Sequence, residues 1–194
     1  MTICYLLPGS DGRTAEWSGV VSRLASRGDT GIPLNLGPDG SSGVTAGLSS
    51  QAQIVEAALS VRPDRSILVG YSYSGLVAAA VVRRGKVPVA RLIYVDAIVP
   101  EIASSASELL SLVPPVVRRL LGSDASELFG TGPTSHVPTS YVRCTARPGK
   151  PLYAAIEASA GRARELEWTY AEIATGHRPM VEAPDALVAL LRAT

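Results

Sequence analysis

The chain has 194 residues, of which 46% are hydrophobic, so it is long enough and apolar enough to bury the core of one domain. Its formal net charge is +1, which gives no basis for binding nucleic acid or an anionic membrane surface. No apolar run approaches the ~20 residues of a membrane-spanning helix.

The N-terminal apolar run, residues 3–7, lacks a basic flank and is too short for the hydrophobic region of a secretory leader. Cys4 and Cys144 both lie within predicted strands, where a thiol behaves as a small buried hydrophobe. We therefore expect a cytoplasmic protein with reduced cysteines. The abundance of Arg, Ala, Val and Gly is typical of GC-rich bacterial genomes, so we also expect a bacterial source.

Strand-like and helix-like segments alternate along most of the chain, which indicates an α/β fold with a parallel sheet. Several of the predicted strands are continuous apolar runs, as expected for strands covered on both faces by helices; the strands lie at 3–7, 30–36, 66–70, 90–95, 139–145 and 166–173. Helices are predicted between 17 and 28, from 50 to 62, and at 73–84, 151–160 and 184–192. Ser50 and Gln53 have the form of a capping box and predict the start of the second helix.

Residues 100–138 interrupt this alternation. Ser105 and Glu108 predict the capped start of a leucine-rich helix, which the two prolines at 114 and 115 end, and a second short helix follows. We expect this segment, about 100–138, to be a small helical lid inserted into a single domain that spans residues 1–194.

Residues 70–75 (GYSYSG) follow a predicted strand and open a predicted helix. A nucleophilic serine on such a tight strand-to-helix turn has a strained backbone and small residues two positions to either side, here Gly70 and Ser74. The turn lifts the Ser72 hydroxyl out of the sheet at the helix N-terminus, where backbone N–H groups stabilise a developing oxyanion. Ser72 is therefore a candidate nucleophile, and the alternative is a structural serine that caps the helix.

The chain has two histidines, His136 and His177. A serine nucleophile needs a base with a pKa near neutrality, and imidazole is the side chain suited to that role. His177 follows the last predicted strand, and the order serine, acid, histidine accompanies this kind of turn. We therefore predict that His177 is the base. His136 ends the interrupted segment, and we interpret it as a surface or pocket-lining residue.

With Ser72 and His177 placed, nearly the whole chain resembles the α/β-hydrolase superfamily, in particular its small esterase and hydroxynitrile-lyase-like branch. The stretches that carry the resemblance are 70–75 (GYSYSG), 91–100 (RLIYVDAIVP) and 176–184 (GHRPMVEAP). The resemblance implies a mostly parallel six-stranded sheet with helices on both faces and a small helical lid, an α/β-hydrolase fold that lacks the first strands.

Residues 7–10 (LPGS) match the oxyanion loop of this family, where relatives usually have His-Gly. By this match, the backbone N–H groups of Ser10 and Tyr73 would form the oxyanion hole. Pro8 replaces the usual histidine, which alters the loop without removing the donor at Ser10. Candidate residues of the substrate pocket are Trp17, Tyr71 and His136.

The acid of the catalytic triad is the main departure from the family pattern. Many relatives carry an Asp shortly after the penultimate strand, but residues 144–150 (CTARPGK) contain no carboxylate. Asp96, which directly follows the strand at 90–95, is the best replacement, because some family members, haloalkane dehalogenases among them, supply the acid from this place. It would hold His177 in the right tautomer and stabilise the imidazolium. Glu172 is a second candidate, and a Ser-His dyad, which typically costs about 10⁴ in kcat, is a third.

Three functional hypotheses follow. The first is a serine hydrolase of a small, largely apolar ester, thioester or lactone, with Ser72, His177 and Asp96 as its triad. The second is a lyase, dehydratase or cyclase of bacterial secondary metabolism, in which Ser72 and His177 act as acid and base. The third is a non-catalytic binding module, against which the presence of both residues argues. We expect a small-molecule substrate, no metal or other cofactor, no nucleic-acid or membrane partner, and a monomer or homodimer.

Overall fold

Six parallel strands form the centre of the fold. The structure, a computed structural model, describes residues 1–37, 47–61, 66–129, 137–147 and 153–193. Within these residues the strands form one sheet in the order β2-β1-β3-β4-β5-β6, and every neighbouring pair is parallel. The strands are β1 (Ile3–Leu7), β2 (Thr30–Pro33), β3 (Ser66–Tyr71), β4 (Arg91–Val95), β5 (Thr139–Cys144) and β6 (Thr169–Ile173).

The central strands are apolar on both faces because both faces are covered. In β1, for example, Tyr5 and Leu7 belong to one buried cluster, whereas Cys4 and Leu6 belong to another on the opposite side of the sheet. The described helices are α1 (Ser18–Ala25), α2 (Leu48–Leu59), α3 (Ser74–Arg84), α4 (Ala106–Leu112), α5 (Pro115–Leu121), α6 (Ala154–Glu165), α7 (Pro179–Glu182) and α8 (Pro184–Ala193). Helices α2 to α6 contribute to the first cluster, and α1, α7 and α8 contribute to the second. The predicted parallel six-stranded sheet with helices on both faces is confirmed.

The segment that interrupts the alternation is helical and packs on the first cluster. The Ser105 side chain accepts a hydrogen bond from the Glu108 N–H at 3.2 Å, so the predicted cap of α4 is present. A short 3-10 helix at Gly122–Phe129 follows α5, and its Leu128 side chain is fully buried. The role of residues 100–138 as a lid stays a prediction. Residues 130–136 of this segment lie outside the described part of the chain.

The prediction that Ser50 starts the second helix is wrong by two residues. Helix α2 begins at Leu48 after Gly47, so Ser50 and Gln53 lie inside it. The cap comes from a distant segment, because Asp124 Oδ2 accepts a hydrogen bond from the Ser49 N–H at 3.1 Å. A carboxylate at a helix N-terminus satisfies a free amide and complements the helix dipole.

Other boundaries also differ from the sequence prediction: β2 ends at Pro33 and not at residue 36, and α2 ends at Leu59 and not at residue 62. Helix α6 is described from Ala154 and continues to Glu165, five residues beyond the predicted end, and β6 accordingly starts at Thr169. The turn between them contains Glu167, which has a positive φ of 55°. Among the described residues, no helix is long and apolar enough to cross a bilayer.

Candidate active site

The carboxyl ends of the parallel strands lie along one edge of the sheet. In the strand register, Leu7 is paired with Gly70, Tyr71 with Val95, and Cys144 with Ile173. The loops that leave these strand ends therefore start side by side. They carry Ser10, Ser72, Asp96, Arg147 and His177.

Ser72 lies on the turn between β3 and α3 with a φ of +55°, a left-handed conformation that non-glycine residues rarely adopt. Two hydrogen bonds hold it there: the Ser72 N–H donates to Val95 O at 3.3 Å, and Ser72 O accepts from the Ile98 N–H at 3.0 Å. The turn is also tightly packed, because a Cβ at Gly70 would lie 3.0 Å from the Ser74 carbonyl oxygen. The small residues that the sequence pattern requires are therefore needed for close approach of the chain.

His177 joins Ser72 to Asp96. Its Nε2 lies 3.0 Å from Ser72 Oγ, and its Nδ1 lies 2.7 Å from Asp96 Oδ2. An ionised carboxylate only accepts hydrogen bonds, so with Asp96 ionised this arrangement requires the proton on Nδ1 and leaves the Nε2 lone pair toward the serine hydroxyl. This geometry is the one in which an imidazole can take the hydroxyl proton.

Asp96 is fully buried at the end of β4 and also has a positive φ, of 43°. Its Oδ1 accepts a hydrogen bond from the Cys144 N–H at 3.1 Å. Its Oδ2 faces His177 Nδ1 and, in addition, Arg147 Nε at 2.8 Å. Both oxygens of this buried carboxylate thus have polar partners, as burial requires.

The structure brings Asp96 to His177 and places Glu172 elsewhere. The Glu172 carboxylate forms ion pairs with Arg143 at 3.2 Å and with Arg164 at 2.7 Å on the exposed side of β6. Of the two carboxylates considered from the sequence, Asp96 is therefore the one that contacts the imidazole.

Two tyrosine rings flank the imidazole of His177. The Tyr71 ring centroid is 4.9 Å away and the Tyr153 ring centroid 5.1 Å away. Trp17 packs edge-on against Tyr71, with ring centroids 6.2 Å apart, and is only 1% exposed. Trp17 therefore contacts the site only indirectly, by packing against Tyr71. Burial raises the pKa of the Tyr71 phenol well above its usual value.

Contacts of the residues just before and just after His177 fix the loop that carries it. The Gly176 N–H donates to Glu182 Oε2 at 2.7 Å, and a Cβ at Gly176 would lie 2.8 Å from the other Glu182 oxygen. Arg178 pairs with Glu16 in the 3-10 helix Thr14–Trp17. These contacts restrict the position of the imidazole.

The two predicted oxyanion donors lie on either side of the nucleophile turn. The Tyr73 N–H is at the start of α3, where backbone N–H groups have no partner within the helix. The phenol of Tyr73 points away into the core, where it donates to Gln51 Oε1 at 2.8 Å. Ser10 lies in the turn after β1, and the Ser74 hydroxyl donates to the carbonyl oxygen of Pro8 in that loop. The oxyanion role of these amides stays a prediction.

His136 lies outside the described residues, so its place in the pocket also stays a prediction. Within the described part of the chain, no group of three or more His, Cys, Asp or Glu residues is arranged to hold a metal ion.

Sequence reasoning missed Arg147 and Tyr153. Tyr153 packs on the imidazole and Arg147 contacts Asp96 through tertiary packing, which no local pattern indicates. The signal for Arg147 was indirect: it lies in residues 144–150, where the resemblance to the α/β-hydrolase superfamily predicts an acid and the sequence has none.

Several solved structures are similar to this chain. A pyrethroid hydrolase from Sphingobium faniae JZ-2 is 18% identical with a TM-score of 0.65, over 99% of this chain and 96% of that one. The thioesterase domain from the curacin biosynthetic pathway is 16% identical with a TM-score of 0.73, over 100% and 91%. Tomato methylketone synthase I, in complex with 2-tridecanone, is 14% identical with a TM-score of 0.70, over 99% and 96%. No protein-family model matches the sequence, and no curated protein matches it. At these identities the similarities show a shared fold.

Proposed function

The chain has the α/β-hydrolase fold, and we propose that it is a serine hydrolase of a small, largely apolar ester, thioester or lactone. One observation carries the proposal. Ser72 Oγ, the His177 imidazole and the Asp96 carboxylate form a continuous chain of contacts of 3.0 Å and 2.7 Å at the sheet edge. A serine capping a helix for structural reasons needs neither contact.

In the proposed reaction, Ser72 Oγ attacks the carbonyl carbon while His177 Nε2 takes the hydroxyl proton. The carbonyl oxygen becomes an oxyanion that the Ser10 and Tyr73 amides stabilise. When the tetrahedral intermediate collapses, His177 returns the proton to the leaving alcohol or thiol. Water then repeats the sequence on the acyl-enzyme, which releases the acid and regenerates Ser72.

Asp96 is the proposed acid of the triad. Its contact with Nδ1 keeps the proton on that nitrogen, so Nε2 remains the acceptor, and its charge stabilises the imidazolium in the transition state. The full burial of Asp96 strengthens this interaction, because little water screens it.

An uncharged, largely apolar substrate is supported by the residues around the imidazole. The flanking groups are the Tyr71 and Tyr153 rings. The Arg147 side chain is 3% exposed and is paired with Asp96 and Glu157, so it presents no free charge to an anionic substrate. A cytoplasmic location is supported by Cys4 and Cys144, which are buried free thiols.

The test is turnover of p-nitrophenyl esters of short and medium-length acids. We expect the wild-type protein to release p-nitrophenol with saturable kinetics and Ser72→Ala to lose this activity. Ser60→Ala is the matched control, because Ser60 is exposed and bonds only its own helix at Ala57 O. A Ser72→Ala variant as active as the control would overturn the proposal. A well-folded wild-type protein that turns over none of these esters would favour the alternative of a lyase, dehydratase or cyclase with Ser72 and His177 as acid and base.

A further inference from the structure

Arg147 contacts the same carboxylate oxygen as His177. Arg147 Nε lies 2.8 Å from Asp96 Oδ2, and His177 Nδ1 lies 2.7 Å from that oxygen. We propose that Arg147 is a positioning residue of this site, which shares Asp96 with His177 and thereby sets the pH range in which His177 is a base. The proposal rests on the proposed role of His177, but the interaction itself can be measured without substrate.

Arg147 is held in this place by several contacts. Its Nε–H donates to Cys144 O at 3.2 Å, and a terminal nitrogen pairs with Glu157 at the start of α6. The guanidinium carbon lies 5.2 Å from the centroid of the Tyr153 ring, which in turn packs on His177. A guanidinium fixed on these sides cannot swing into solvent as a surface arginine does, so its charge stays beside Asp96.

The sign of the effect follows from the charges. The Asp96 carboxylate favours the protonated form of His177, whereas a cation beside that carboxylate disfavours it. Arg147 therefore favours the neutral imidazole, which is the form that can accept the Ser72 proton. Because Arg147 and Asp96 are almost fully buried, salt screens this interaction poorly.

Other groups around the pair act differently. Glu157 offsets part of the Arg147 charge, but it is 47% exposed and also pairs with Arg143. Burial raises the pKa of Cys144 to about 12 and raises the pKa values of Tyr141 and Tyr71, so all three stay neutral near neutral pH. Among the described residues, the surrounding elements also carry Tyr153, Glu182, Asp11 and the Arg178–Glu16 pair.

The test is an NMR titration of the His177 imidazole in the substrate-free protein. The chain has only two histidines, so His136→Gln identifies the His177 signal. We expect Arg147→Gln to raise the titration midpoint of His177 by about one pH unit, since a nearby cation is lost. Arg147→Lys, which keeps the charge on a different geometry, should give a midpoint between the two. Arg143→Gln is the matched control, because Arg143 also pairs with Glu157 but does not contact Asp96, and it should leave the midpoint close to wild type.

An unchanged or lowered midpoint in folded Arg147→Gln would overturn the inference. If Arg147→Gln does not fold, Glu157→Gln provides the test. Losing the carboxylate that offsets the Arg147 charge should lower the His177 midpoint. An unchanged or raised midpoint in Glu157→Gln would contradict the inference. In the hydrolase assay, the acidic limb of kcat/KM should move with the midpoint. A shifted His177 midpoint without ester turnover would contradict the proposed hydrolase but support the Arg147 interaction. Ester turnover with an unshifted midpoint would support the hydrolase but contradict the Arg147 interaction.

Discussion

A Cβ at Gly75 would lie 2.4 Å from the carbonyl oxygen of Ile98, so the first turn of α3 rests directly on the loop after β4. This contact joins the element that follows Ser72 to the element that follows Asp96. The hydrogen bond from the Ile98 N–H to Ser72 O, at 3.0 Å, runs alongside it. The relative position of the nucleophile and the acid therefore depends on Gly75, whose N–H also donates to Ser72 O at 3.4 Å.

Substitution Gly75→Ala tests this dependence. We expect it to reduce the free energy of unfolding by about 1–3 kcal/mol, because the added methyl group overpacks the contact with Ile98. Ester turnover should fall as well, since the loop after β4 must shift. Gly161→Ala in α6 is the matched control: its Cβ would meet nothing within 4 Å, so the helix should gain about 0.5–1 kcal/mol. Equal unfolding free energies for the two variants in urea would contradict the prediction.

Substitution Asp96→Asn tests the acid. We expect kcat to fall by about 10⁴, because the amide cannot stabilise the imidazolium and allows the wrong tautomer. The variant should also be less stable, because Arg147 loses a buried partner. Glu172→Gln is the control carboxylate and should keep near-wild-type turnover, since Glu172 pairs with surface arginines. Unchanged turnover in folded Asp96→Asn would eliminate Asp96 as the acid.

Substitution Ser74→Ala tests the support of the oxyanion loop. The buried Pro8 carbonyl would lose the hydroxyl that bonds it, at a cost of about 1–3 kcal/mol in unfolding free energy. We expect kcat to fall more than KM rises, because the loop carries the Ser10 amide, which acts on the developing oxyanion. The same Ser60→Ala variant is the control. A change in KM alone would mean that the loop affects binding and not the oxyanion.

The buried thiols predict how stability depends on alkaline pH. Burial raises the pKa of Cys4 to about 11 and that of Cys144 to about 12, from an ordinary value of 9.0. Below pH 9 the thiols are neutral in both the folded and the unfolded chain, so the folded state keeps its full stability. As the pH rises from 9 toward the folded values, the unfolded chain loses the thiol protons first, and the free energy of unfolding falls. Between pH 8 and 10 we expect each thiol to lower the free energy of unfolding by roughly 1 kcal/mol. Urea unfolding at the two pH values checks this. A Cys4→Ala/Cys144→Ala variant should lose less unfolding free energy between pH 8 and 10 than the wild type. An equal loss in both proteins would argue against the thiols as the cause.

The sheet could be predicted from the sequence because its central strands are continuous apolar runs, such as Ile3–Leu7, bounded by Pro and Gly. Boundaries failed where a tertiary contact decides them. Asp124 caps α2 from a segment far along the chain, so the local pattern at Ser50 was misleading. The 3-10 helix Gly122–Phe129 likewise depends on packing against the core, which no local pattern predicts.

The candidate site was predictable to the extent that each residue follows a strand. Ser72 and Asp96 directly follow strands, His177 lies in the loop after β6, and parallel strand ends converge on one edge. Arg147 was not predictable in this way, because the sequence shows that a carboxylate is missing there but not that a cation contacts Asp96.

The most direct test of the central claim is the mass of the intact protein after treatment with a fluorophosphonate, followed by peptide mapping. We predict a single covalent adduct on the peptide that contains Ser72, absent in Ser72→Ala and strongly slowed in His177→Gln, since the imidazole at 3.0 Å activates the hydroxyl. Correctly folded wild-type protein that forms no adduct, or forms it on another serine, would contradict the account.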